Sequence, residues 1–144
     1  SADALHQRGR ALNGLRRTDE AIESLEKARG LAPDNGYIAN TLGYLLLRRG
    51  DVEKAVPNLE AARDRLPQVA FVRNNLGMAY ERKGDRVRAA EEYRAALQAG
   101  DPNGKASASL ARIEPLLRDR IATSETPGDP QPDGDTPGDQ TPQQ

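Results

Sequence analysis

The side chains best suited to touch a ligand recur at one interval. Tyr37, Asn40, Tyr44 and Arg48 are followed 34 residues later by Phe71, Asn74, Met78 and Arg82, and preceded at the same interval by Asp3, His6, Arg10 and Gly14. Asn13, Leu47 and Glu81 share a neighbouring register. Aromatic and Met side chains offer apolar, adaptable surface, while amides and guanidinium groups can satisfy a peptide backbone. That set suits recognition, not bond-making. The rest of the chain supplies no catalytic constellation. It has one histidine, His6, and no cysteine, and it lacks the serine elbow, phosphate-binding loop, zinc helix motif and dinucleotide fingerprint. Absence of cysteine excludes disulfides, thiolate metal sites and cysteine nucleophiles. The carboxylates are spread over helix surfaces, where pairs such as Glu23 and Lys27 serve i,i+4 pairing. His6 reads as an exposed polar residue before a metal ligand or proton carrier. No enzyme activity, cofactor or metal is expected.

Side chains placed so regularly need elements that repeat with them. Gly9, Gly43 and Gly77 lie 34 residues apart, as do Ala21, Ala55 and Ala89, and Ala28, Ala62 and Ala96. The units align as 2–35, 36–69 and 70–103, each two amphipathic helices joined by a tight turn. In the second unit Ile38, Leu42 and Leu45/Leu46 form a helical stripe, and Val52, Ala55, Val56, Leu59 and Ala62 form the next. Gly50 suits the left-handed position that ends a helix, Asp51 can cap the one that follows, and Pro67 stops the second. The third unit repeats this with Leu76, Tyr80, Gly84-Asp85, Ala89, Tyr93, Ala96 and Leu97, and the first with Leu5, Leu12, Leu15, Ile22, Leu25, Ala28 and Pro33. The glycine of each first helix is expected to face the first alanine of the second, and the later alanine to admit the next unit. Ala2 opens the first helix with no cap before it. Residues 104–122 carry Ala106, Leu110, Ile113, Leu117 and Ile121 as one stripe, a capping helix that Pro115 should kink or divide near Glu114.

On these residues the chain resembles a tetratricopeptide repeat (TPR) protein. The family pattern W-x2-L-G-x2-Y, A-x3-F, P appears as Ala39, Leu42-Gly43, Leu46, Ala55, Leu59 and Pro67; Leu76-Gly77, Tyr80, Ala89 and Tyr93 follow it more closely. No unit has the early Trp, Arg8 replaces a Leu, and Pro102 is displaced by one place. The resemblance implies an all-α, right-handed superhelical solenoid of antiparallel helix pairs, binding a protein or peptide partner in its concave groove. It places His6, Arg10, Asn13, Tyr37, Asn40, Tyr44, Leu47, Arg48, Phe71, Asn74, Met78 and Arg82 along that groove. Family members that hold the acidic tails of chaperones use a Lys/Asn/Arg clamp. The matching positions here are His6, Arg10, Thr41, Phe71 and Asn75, of which only Arg10 is permanently cationic, so an EEVD-type ligand is not expected. The asparagine ladder of some glycosyltransferase arrays is also incomplete, with Gln7, Thr41 and Asn75 at its register.

Composition divides the chain near residue 122. Residues 123–144 hold no Lys, Arg, Leu, Ile, Val or aromatic residue, two TPGD copies and five carboxylates, and read as a disordered acidic Pro/Gly-rich tail. The net charge of −1 therefore hides a body of +4. Arg16-Arg17, Arg48-Arg49 and Arg82-Lys83 could form a basic stripe, but Asp19, Asp51 and Asp85 beside them point to a solvated face, not a nucleic-acid site. No apolar run is long enough for a membrane span. The chain starts at Ser1 and reads as part of a trimmed or processed protein; more repeats can precede it. The excess of arginine over lysine, 17 to 4, suggests a bacterial source. The compartment is not written in these residues, with the cytoplasm favoured slightly over the periplasm. Two other roles stay open: a self-assembling homo-oligomer, and an accessory region of a larger enzyme.

Overall fold

A computed structural model describes residues 1–124, with side chains through Arg118. Its elements are α1 (Ala2–Gly14), α2 (Thr18–Leu31), α3 (Gly36–Arg49), α4 (Val52–Arg65), α5 (Ala70–Lys83), α6 (Arg86–Gln98) and α7 (Lys105–Ser124). Successive helices pack as hairpins, α1 on α2, α3 on α4 and α5 on α6; α2 then meets α3, α4 meets α5, and α7 lies on α6. One continuous core runs from Leu12 to Ile113, with a smaller cluster of Ala39, Ala62 and Val72 where the second hairpin meets the third.

Each hairpin closes over its glycine, against a partner other than the expected alanine. A Cβ on Gly9 would stand 2.7 Å from Leu25 Cγ, on Gly43 2.5 Å from Leu59 Cγ, and on Gly77 2.6 Å from Tyr93 Cε1. The glycine therefore accommodates a large side chain. The alanines Ala21, Ala55 and Ala89 are fully buried, and the Ala55 carbonyl lies 3.3 Å from a Gly43 Cβ. Burying each of Leu25 and Leu59 contributes about 2 kcal/mol.

The turns differ in instructive ways. Gly50 (φ 97°) and Gly84 (φ 93°) end α3 and α5 in the left-handed region. Arg16 holds the same place after α1 at φ 62°, a conformation costly for a side chain with a Cβ. Asp85 caps α6 by accepting from Arg88 N–H, as anticipated. Asp51 does not cap α4, because its carboxylate is taken by the Arg49 guanidinium at 2.5 Å. At the N-terminus the expectation of an uncapped α1 is corrected: Ser1 Oγ accepts from Ala4 N–H at 3.2 Å. Pro115 does not divide α7, which remains one helix, and Pro57 is likewise carried inside α4. Both prolines face solvent, where the lost N–H and the ring are best tolerated. The expected disordered tail lies, from residue 125 onward, outside the described residues; α7 runs on to Ser124.

Candidate functional site

Helices α1, α3 and α5 lie side by side and share one face, tied by contacts 34 or 35 residues apart in sequence. His6 Nε2 is 3.0 Å from Thr41 Oγ1. The Thr41 hydroxyl donates its single proton to the Tyr37 carbonyl at 3.0 Å. It must therefore accept from His6, which fixes the Nε2–H tautomer. Burial lowers the His6 pKa below its ordinary value, and the nearby Arg10 charge lowers it further, against a smaller opposing effect of Asp3. One repeat along, Asn75 Nδ2 donates to Asn40 Oδ1 at 3.0 Å. Arg82 Nη1 reaches back to the Leu47 carbonyl at 2.9 Å.

Above this polar ladder stand the aromatic side chains. Tyr37 and Phe71 are each about half exposed, 50% and 51%, with ring centroids 6.4 Å apart and tilted by 38°. The Arg48 guanidinium lies 5.7 Å from the centre of the Tyr44 ring, a cation–π contact. Met78 is half-buried and its sulfur lies 3.6 Å from Asn74 Nδ2. At the far end Met78, Glu81, Arg82 and Arg112 line a cavity of about 230 Å³. There Arg112 pairs bidentately with Glu81, whose other partner is the Tyr93 hydroxyl at 2.8 Å. The Arg112 bond, foremost, holds the Glu81 carboxyl below the usual range. Burial and the same carboxylate push the Tyr93 phenol well above its ordinary value.

These contacts make the chemistry of the face one of hydrogen-bond donors, aromatic planes and cationic groups. Among the described residues no group of three or more His, Cys, Asp or Glu side chains is placed to hold a metal ion. Of the twelve residues anticipated along the groove, the ladder and the aromatic row bring together His6, Tyr37, Asn40, Tyr44, Arg48, Phe71, Asn74, Met78 and Arg82. Arg10 is exposed and Asn13 half-buried on α1. Leu47 is corrected: its side chain is 1% exposed within the core, and only its carbonyl serves the face. Thr41 and Asn75, at positions that depart from the chaperone-tail clamp, bond the ladder instead. The contribution of Arg112 has no counterpart in the repeat register, because it comes from α7, beyond the third unit.

The family follows from comparison with known proteins. Two models described as tetratricopeptide repeat match, one over residues 2–35 and one over residues 40–105. The chain belongs to the tetratricopeptide repeat family. Solved structures share its right-handed solenoid. The first TPR of Spaghetti (RPAP3) bound to the HSP90 peptide SRMEEVD superposes with a TM-score of 0.78 at 20% identity, covering 81% of this chain and 93% of that one. MamA from Desulfovibrio magneticus RS-1 gives 0.76 at 24% identity, over 87% and 71%. The Sgt2 TPR domain from Aspergillus fumigatus gives 0.77 at 23% identity, over 94% and 90%. No curated protein matches the chain in sequence. No helix among the described residues is long and apolar enough to cross a membrane.

Proposed function

We propose that this TPR domain is a non-enzymatic interaction module that binds an extended or helical segment of a partner protein across the face of α1, α3 and α5. The observation that carries the reading is the Tyr37–Phe71 pair. Two of the chain's five aromatic rings stand half in water on adjacent repeats, although the interior of this fold accepts large side chains. Exposed aromatic groups beside Arg and Asn are the anchors that peptide recognition uses. A similar fold that holds an acidic chaperone peptide supports the general reading.

The ligand is not of that acidic C-terminal type. His6 and Thr41 are spent on each other, Asn75 is spent on Asn40, and Phe71 offers no charge. The ligand matched to this face has apolar side chains for Phe71, Tyr37 and Met78, and acceptors or an acidic group for Arg48 and Arg82. The test is selection from a random-peptide display library on the immobilised full chain, repeated on a Tyr44→Ala/Met78→Ala variant shown by circular dichroism to be folded. Peptides that share a motif and lose affinity about tenfold or more on the variant support the reading, since two anchors are removed. Peptides that bind both equally, or a face that captures only further copies of this chain, contradict it.

A further inference from the structure

The polar ladder has a rung that does not close. His6 meets Thr41 and Asn40 meets Asn75, each reaching one repeat onward. Asn74 repeats the place of His6 and Asn40, and α7 follows it. Yet Asn74 Oδ1 is buried with no hydrogen-bond partner among the described residues, on a side chain only 8% exposed. An acceptor removed from water without a donor is costly, and native interiors seldom keep one. Asn74 also lines a cavity of about 290 Å³ between α5 and the α6–α7 turn. Its apolar walls include Ala70, Phe71, Ala99 and Pro102, with Lys105 at its rim. The Asp101 carboxylate at the edge is already satisfied by the N–H groups of Ala106 and Ser107 at 3.1 and 3.0 Å.

We propose that this cavity is an anchor pocket for one aliphatic side chain of the bound segment, whose backbone N–H is donated to Asn74 Oδ1. The proposal rests on the groove reading above and specifies where one residue of the ligand sits. The cavity is mostly apolar, its one carboxylate is spent, and the unmet need is for a donor. A peptide unit with an aliphatic side chain meets both conditions. The Asn74 amide turns about a soft terminal torsion, so Oδ1 can swing toward the cavity at the expense of the weak Nδ2–Met78 Sδ contact. The half-exposed Phe71 ring would then be covered by the same residue.

The test uses the ¹⁵N-labelled full chain titrated with N-acetyl-leucine N-methylamide. Two further probes are run in parallel: the same compound with both amide nitrogens methylated, and N-acetyl-aspartate N-methylamide. The expected result is saturable shifts at Phe71, Asn74, Ala99 and Lys105 with the leucine compound. Binding should weaken about fivefold on methylation, the change expected for one neutral hydrogen bond. Asn74→Leu should weaken it to the same degree, and Ala99→Leu, which fills the cavity from the turn, should abolish it. Should Asn74→Leu fail to fold, the methylated probe and Ala99→Leu carry the test alone. Shifts that never saturate, indifference to methylation, or tighter binding of the aspartate compound would overturn the proposal. Display-selected peptides that respond to Tyr44→Ala/Met78→Ala but not to Ala99→Leu would remove this pocket and leave the groove reading standing.

Discussion

The two rows of helices are assembled by different contacts. Along α1, α3 and α5 neighbouring repeats touch through neutral hydrogen bonds, an aromatic pair and an arginine on a carbonyl. Along α2, α4 and α6 the repeats present fully buried alanines and charge pairs. The most buried of these pairs is Glu92, held by Arg63 at 3.1 Å and by Arg73 of α5 at 3.0 Å. Between the rows, each glycine receives a large side chain. The difference separates two duties. Packing between and behind the rows holds the solenoid together, so the face of α1, α3 and α5 can keep large side chains in water.

If that separation is right, the greatest damage comes from the seam between rows. Gly43→Leu should destabilise by about 3 kcal/mol or more in urea unfolding, since even its Cβ would strike Leu59. Glu92→Ala comes next, at about 2 kcal/mol, because it leaves Arg63 and Arg73, whose side chains are each about three-quarters buried, without their shared carboxylate. Arg16→Gly should act in the opposite sense and stabilise by about 1 kcal/mol, relieving φ 62° at a turn where the other repeats use Gly50 and Gly84.

Smaller again is a pH effect. The Glu81 carboxyl is held below its ordinary value near 4.5 by Arg112, so its contribution is present above that value and is lost as the pH falls through the lowered one. Tm should drop more steeply on acidification in the parent than in Arg112→Gln. The smallest effect belongs to the recognition face: Tyr37→Ala should change stability by less than about 1 kcal/mol, its ring being half exposed against Phe71 and part of neither core cluster. A loss as large as that of Glu92→Ala would break the division of duties.

The repeat was legible because steric demands recur with the period: every Gly9, Gly43 or Gly77 must admit a large neighbour, and every Ala28, Ala62 or Ala96 must be fully buried. The identity of that neighbour was not legible, since Leu25, Leu59 and Tyr93 vary in type while Ala21, Ala55 and Ala89 do not. Asp51 shows how a local rule yields to competition, here from an arginine two residues away. Leu47 shows the limit of assigning a face by register alone, because a side chain at the edge of the stripe can turn into the core while its carbonyl stays outside. The open rung at Asn74 depends on what the α6–α7 turn and α7 place beside it, and no periodicity within the repeats encodes that.

Ligand bound on one row of helices and not the other would protect that row alone in amide hydrogen exchange of the full chain, measured with and without a saturating display-selected peptide. Added protection is expected in α1, α3 and α5, strongest around Tyr44 and Phe71, with α2 and α4 unchanged. Protection concentrated in α2, α4 or α6 would contradict that placement.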